Sequence, residues 1–247
     1  MVDLSTQSEK AYDILDCSKR GSNCLPRLVF SVLRTIDPYL QYLIIFHGYG
    51  RQIISKVGIP TVPAGPKGTV LVAMAASCAV KQIISMTLIE GEITYSLAIF
   101  IGVINTVNNF TNSLATLSSF IYGPSEELGT LQYIGISLFT VGILTDLISE
   151  LQRNRFDDNP RNKGKLYSGG LFSLARHINY GANTLLYTGL ALTSGNYELA
   201  DIQFFWHMWD FRTRTEPRLQ EQYGKKYGDD WKKLEDDVPY ALFPYVW

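Results

Sequence analysis

Apolar positions along this chain come in long, nearly uncharged runs separated by short polar breaks, and the runs lack the polar face that a soluble helix needs. Thr69 to Ile89 holds one charge, Lys81, and Ile93 to Ser125 holds none. At about 1.5 Å per residue, either run can cross a hydrocarbon core of about 30 Å. Leu128 to Thr145 is a third such run, followed by Asp146 and Glu150 at the approach to a polar loop. Leu25 to Tyr49 is broken by Arg27, Arg34, Asp37 and Pro38 and reads as a first, proline-kinked membrane helix. Ile178 to Tyr197 is uncharged but interrupted by Gly181, Gly189 and Gly195, and Leu199 to Trp209 is short and aromatic. These last two predict a re-entrant or tightly paired hairpin, which brings the expected membrane helices to five or six. Gly58 to Gly68, rich in proline and glycine, reads as a turn between elements.

Polar residues inside the runs refine this picture. Asn105, Asn108, Asn109 and Asn112 recur at three- and four-residue steps, so they share one helical face. Unpaired amides in lipid are costly, so that face must turn toward other helices, as contact residues or as the lining of a substrate cavity. Charge is strongly segregated: only seven charged residues lie between Val57 and Ser149, whereas Asp210 to Asp237 carries fifteen. Basic residues concentrate in the loop after Leu151 (Arg153, Arg155, Arg161, Lys163, Lys165) and in the tail, and the positive-inside rule places both in the cytosol. Residues 1–24 are polar, lack the pattern of a secretory signal and read as a cytosolic tail or surface helix. The expected fold is therefore all-α, a multi-pass transmembrane helical bundle over 25–150 with a cytosolic cofactor-binding C-terminal region over 151–247. The full chain of 247 residues is 46% hydrophobic and carries a net charge of −1, which excludes a disordered chain and a basic nucleic-acid binder. Cys17, Cys24 and Cys78 are odd in number, and His47, His177 and His207 are scattered, so neither a disulfide framework nor a metal site is expected.

Chemistry concentrates in two polar segments, Leu151 to Leu186 and Arg212 to Trp247. In the first, Arg176, His177, Asn179 and Tyr180 place cationic, titratable and hydrogen-bonding groups at the start of an uncharged run, where polar residues are functional candidates. Arginine suits phosphate, while asparagine and tyrosine suit an amide or ribose. No GxGxxG, GxxxxGK[ST] or GxSxG string occurs, so a soluble nucleotide fold or a serine hydrolase is unsupported.

LQRNRFDDNP, RHINY and KYGDDWKKLEDDVPYALFPYVW, within Leu151 to Trp247, resemble the C-terminal half of the membrane sterol reductases of the delta-14 and delta-24(28) type, and the related steroid 5-alpha-reductase C-terminal family. The resemblance implies a membrane-embedded, NADPH-dependent reductase of a carbon–carbon double bond in a lipophilic, sterol-, steroid-, polyketide- or terpenoid-like substrate. It further implies residence in the endoplasmic reticulum. Carried over residue by residue, Gln152, Arg153, Phe156, Asn159 and Pro160 match the first element, with Arg153 near the cofactor phosphates. A second basic residue of that element falls on Asp157, and Arg155 or Arg161 is the expected substitute. Arg176, His177, Asn179 and Tyr180 match RHxNY, and Tyr227, Trp231 and Tyr240 match the tail; all are implied to bind cofactor. Arg212 is implied as a further cofactor contact and Glu216 as an acid, although both lie out of register with Lys226-Tyr227-Gly228. Asn183 stands where the family has an acidic residue, so it can orient a carboxamide but cannot donate a proton. Tyr180 is then the expected proton donor, with His177 beside it and Glu216 as the next candidate. The same region is also similar to membrane isoprenylcysteine carboxyl methyltransferases, which bind S-adenosylmethionine, but Ile178 replaces a proline of their motif. A non-catalytic membrane scaffold is the third reading.

Overall fold

The structure, a computed structural model, describes residues 24–86, 95–122 and 126–246. Residues 1–23, and with them the expected N-terminal tail and Cys17, lie outside the described residues. The helices are α1 (Cys24–Phe46), α2 (Tyr49–Lys56), α3 (Gly65–Ile84), α4 (Tyr95–Ser118), α5 (Thr130–Asp157), α6 (Ile178–Thr193), α7 (Tyr197–Asp210), α8 (Glu216–Tyr227) and α9 (Asp229–Asp237). No strand occurs among the described residues. The chain is a helical membrane protein, and α1, α3 and α5 have the length and apolarity of spans. The fourth long helix, α4, has 24 residues and no charged side chain. The expected hairpin is α6 and α7, of 16 and 14 residues, joined by a three-residue turn at Ser194–Asn196.

One sequence expectation needs correction. The Gly58–Gly68 turn is shorter than its composition suggested, because Gly65–Gly68 already forms the first turn of α3. Pro66 sits there at little cost, since the first helical N–H groups have no partner to lose. The first membrane helix expected over Leu25 to Tyr49 is α1, which carries Pro38 inside it and runs to Phe46.

The charges within α1 survive at membrane depth because they pair with each other and with α4. Arg34 Nη1 donates to Asn109 Oδ1 at 2.7 Å and its Nη2 meets Asp37 Oδ2 at 3.3 Å. Asn112 Nδ2 donates to Asp37 Oδ2 at 2.7 Å, and Gln41 Nε2 donates to Asp37 Oδ1 at 2.9 Å and to Ser113 Oγ at 3.0 Å. Arg34, Asp37, Gln41 and Asn112 are fully buried. The described part of the asparagine face, Asn109 and Asn112, therefore binds helix to helix; the side chains of Asn105 and Asn108 lie outside the described residues.

The α5–α6 pair is the backbone of the functional half. Gly142 and Gly189 permit the two helices to touch: a Cβ on Gly142 would lie 2.6 Å from the Ala182 carbonyl oxygen, and one on Gly189 would lie 2.5 Å from the Phe139 amide. Small residues at such a seam let backbones approach where the hydrophobic effect between spans is absent. Contacts between residues 135 and 193 at one end and 146 and 183 at the other make the helices antiparallel. Lys81, near the end of α3, reaches Asp146 and Glu150 in the last half of α5, so α3 and α5 run in the same direction. The end of α3, the end of α5 and the start of α6 thus share one face of the bundle, which the C-terminal helices cover.

Candidate cofactor site

The two segments singled out by sequence meet in space. Arg176 N donates to Tyr240 O at 2.9 Å, His177 N donates to Ala241 O at 2.8 Å, and Arg176 Nη1 donates to Val238 O at 2.6 Å. RHINY is thereby clamped to VPYA by three hydrogen bonds. Gly181 completes the clamp: a side chain there would press its Cβ to 2.4 Å from the Leu242 carbonyl oxygen. The tail is held against the N-terminus of α6 by backbone atoms that only this approach allows.

Beside the clamp lies a small pocket of about 60 Å³, room for a phosphate-sized group. Its charged lining is Arg153, Lys165 and Arg176 against Asp157, and its wall is aromatic, with Tyr167, Phe172, Tyr223, Tyr227 and Trp231. Arg153 lies over the Phe172 ring at 5.7 Å, which fixes the guanidinium by its flat face. Arg176 Nε is buried and has no hydrogen-bond partner among the described residues. Lys165 supplies the cation that the sequence assigned to Arg155 or Arg161, and both of those are exposed away from this lining. Gln152 Oε1 accepts from Leu171 N at 2.8 Å and holds the glycine turn against α5, and Lys165 N donates to the Asn162 carbonyl at 2.9 Å.

His177 is the centre of an aromatic cluster. Its ring stacks on Tyr223 (centroids 6.1 Å, planes 15° apart) and packs on Phe211 at 5.6 Å, Trp231 at 5.9 Å and Tyr180 at 6.2 Å. Tyr180 N donates to the His177 carbonyl at 2.9 Å, and the two side chains meet by edge-on ring packing. Burial, helped by the Arg176 charge, lowers the His177 pKa to about 4, and burial raises that of Tyr223. His177 is therefore neutral near pH 7, with Nε2 buried and unpartnered among the described residues.

This has a pH consequence. The unfolded histidine binds a proton below about pH 6.5 and the folded one only below about 4, so the stabilisation is complete above 6.5 and is lost as pH falls toward 4. Between pH 7.5 and 5 the loss is expected to reach about 2 kcal/mol. Thermal unfolding followed by tryptophan fluorescence should show it, and His177→Gln should flatten the dependence. A wild-type midpoint that does not move over that range would contradict the buried neutral imidazole.

The remaining predicted residues have mixed placements. Tyr227 and Trp231 line the pocket, and Trp231 Nε1 donates to Gln220 Oε1 at 2.7 Å. Tyr240 packs on Phe172, Ala175 and Ile178 at its edge. Tyr180 is about one-third exposed, its ring 5.6 Å from Phe211. Asn179 is half-buried, and its carbonyl accepts from Asn183 Nδ2 at 3.0 Å. Arg212 and Glu216 are not brought to the pocket: they pair with each other at 2.6 Å on the turn between α7 and α8. Asn159 caps the short turn at Pro160–Asn162 by accepting from Arg161 N.

Asn183 points the other way, into a buried cluster that the motifs did not mark. Its Nδ2 donates to Asp146 Oδ2 at 3.2 Å. Lys81 Nζ lies 2.6 Å from Asp146 Oδ2 and 3.0 Å from Glu150 Oε1, and Ser85 Oγ donates to Glu150 Oε2. One sequence signal could have found it. Asp146, Glu150, Arg153 and Asp157 fall at i, i+4, i+7 and i+11, one stripe on one helix.

Fold and site define a helical membrane protein with a cation-lined pocket where its C-terminal tail closes on the bundle. The chain belongs to the family described as "Protein of unknown function (DUF1295)", which matches residues 82–209. It is 34% identical over 242 residues, 88% of this chain and 84% of the relative, to a "Probable O-methyltransferase ustE" of Ustilaginoidea virens. It is also similar to sterol reductases: 31% over 87 residues (35% of this chain) to a 7-dehydrocholesterol reductase of Xenopus laevis, and 26% over 148 residues (56%) to a delta(14)-sterol reductase of Candida albicans. The chain covers only 18% and 33% of the length of those two reductases.

Proposed function

We propose that this protein is an NADPH-dependent reductase of a carbon–carbon double bond in a lipophilic substrate, acting in the endoplasmic reticulum membrane with its C-terminus in the cytosol. The observation that carries the reading is the pocket in which Arg153, Lys165 and Arg176 outnumber Asp157 beside an aromatic wall. Three cations and a buried, unpartnered guanidinium nitrogen fit the phosphates of a dinucleotide better than the cationic sulfonium of S-adenosylmethionine. Arg153 and Lys165 bind phosphate oxygens, Tyr223, Tyr227 and Trp231 exclude water beside them, and the Arg176–Val238 bond holds the tail closed over both. When bound, the nicotinamide supplies a hydride. Tyr180, at the membrane edge of this cluster, holds the proton for the neighbouring carbon. The substrate reaches it sideways from the bilayer, so the reacting carbons never meet bulk water.

The relative named a probable O-methyltransferase favours a second reading, a methyl transfer from S-adenosylmethionine at the same pocket. Titration of the detergent-purified protein with each nucleotide separates the two. Saturable binding of NADPH is expected, and Arg153→Ala should weaken it by roughly tenfold or more, the value of one charge-assisted hydrogen bond of about 1.5 kcal/mol. Arg153 is the informative position, because Arg176 also pins the tail and its removal would loosen the fold. Saturable binding of S-adenosylmethionine alone would reverse the order of the readings.

A further inference from the structure

The buried cluster of Lys81, Ser85, Asp146, Glu150 and Asn183 is not used by the pocket chemistry, and of its residues the family pattern marks only Asn183. It lies within α3, α5 and α6 at membrane depth, where ionisable groups are costly and mark function by default. Its charges do not cancel. Two carboxyl groups face one ammonium group, while the other buried pair nearby, Arg34 with Asp37, is already neutral by itself. Asp146 is 1% exposed, and its Oδ1 has no hydrogen-bond partner among the described residues. An orphan oxygen costs far more to bury on a carboxylate than on a neutral acid. One added proton removes both the surplus charge and that penalty.

We propose that this cluster holds one proton at neutral pH, shared between Asp146 and Glu150. Protonation of either carboxyl group leaves one carboxylate against the one ammonium group of Lys81, and the cluster is then neutral. The proton site stands on the cluster alone and does not depend on the reductase reading above.

Charge counting makes the test sharp and independent of any substrate. Infrared spectra of the full chain in lipid at pH 7 should contain the carbonyl band of a protonated carboxylic acid, shifted by exchange into D2O. Asp146→Asn and Glu150→Gln should each abolish it, since one carboxylate and one ammonium remain and need no proton. Lys81→Met should increase it about twofold, since two carboxyl groups then lack a counter-charge, and this arm does not depend on either acidic variant folding. Absence of the band in the wild type, its persistence in both acidic variants, or an unchanged band in Lys81→Met would overturn the proposal. NADPH titration of the same samples separates the two claims: a protein that shows the band and binds no NADPH keeps its proton site and loses the reductase reading. In Asp146→Asn, about two helical turns below Arg153, NADPH affinity is expected to stay within about twofold.

Discussion

Asp37→Ala is expected to destabilise the bundle by roughly 3–5 kcal/mol, the usual result of removing one partner from a buried ion pair. Asp37 is the hub of the α1–α4 junction: its two carboxylate oxygens receive Arg34, Gln41 and Asn112, and none of these residues has access to water. Alanine leaves the Arg34 guanidinium charged in an apolar interior with only Asn109 as acceptor, and it leaves the Gln41 and Asn112 amides short of a partner. Asp37→Asn keeps the size and one acceptor oxygen, so it should lose less. Thermal unfolding in detergent measures both. If Asp37→Ala melts with the wild type, the network does not hold α1 to α4, and the asparagine face of α4 would be free to serve as a cavity lining.

That junction shows why part of the fold could be read from the chain and part could not. Span length and the absence of charge mark α3, α4 and α5 directly, because the bilayer sets both. In α1 the sequence shows four interruptions to an apolar run, yet the helix is continuous: Arg34 and Asp37 pair with each other, and the amides that complete their hydrogen bonds stand about 75 residues away on α4. Pairing across such a separation leaves no local trace. The hairpin of α6 and α7 is legible from its glycines, but their purpose at Gly142, Gly189 and Gly181 is the close approach of backbones, which only coordinates reveal.

The site divides in the same way. RHINY and VPY stand out as motifs, and their contact through the Arg176, His177 and Gly181 backbone is the geometric reason that they occur together. The pocket cations are less legible. Arg153 follows from its motif, whereas Lys165 belongs to no pattern and is brought to the lining by the path of its loop. Arg212 and Glu216 satisfy each other on the turn before α8, a local i, i+4 pair that spacing imitates as a motif. Asn183 looks like the loss of an acid when read alone. In three dimensions its amide donates to a carboxylate from the neighbouring helix, so the acidic group is present and carried by α5.

Tyr180→Phe carries the largest expected effect on turnover. The phenol is the one hydroxyl of the RHINY segment, and its ring is seated on Phe211 and edge-on to His177, so a phenyl ring keeps the packing. Phenylalanine removes only the O–H, which predicts intact folding and NADPH affinity within about twofold of the wild type. A general acid contributes roughly 10²–10⁴ to rate, so turnover on an accepted substrate should fall by that factor. Arg153 and Asp210 both lie within electrostatic reach of the hydroxyl. His177 cannot replace it, since the imidazole is neutral and buried and its ring meets the Tyr180 side chain by edge-on packing. A comparable loss of NADPH binding would make Tyr180 a cofactor ligand. Full turnover in Tyr180→Phe would remove the residue from the chemistry.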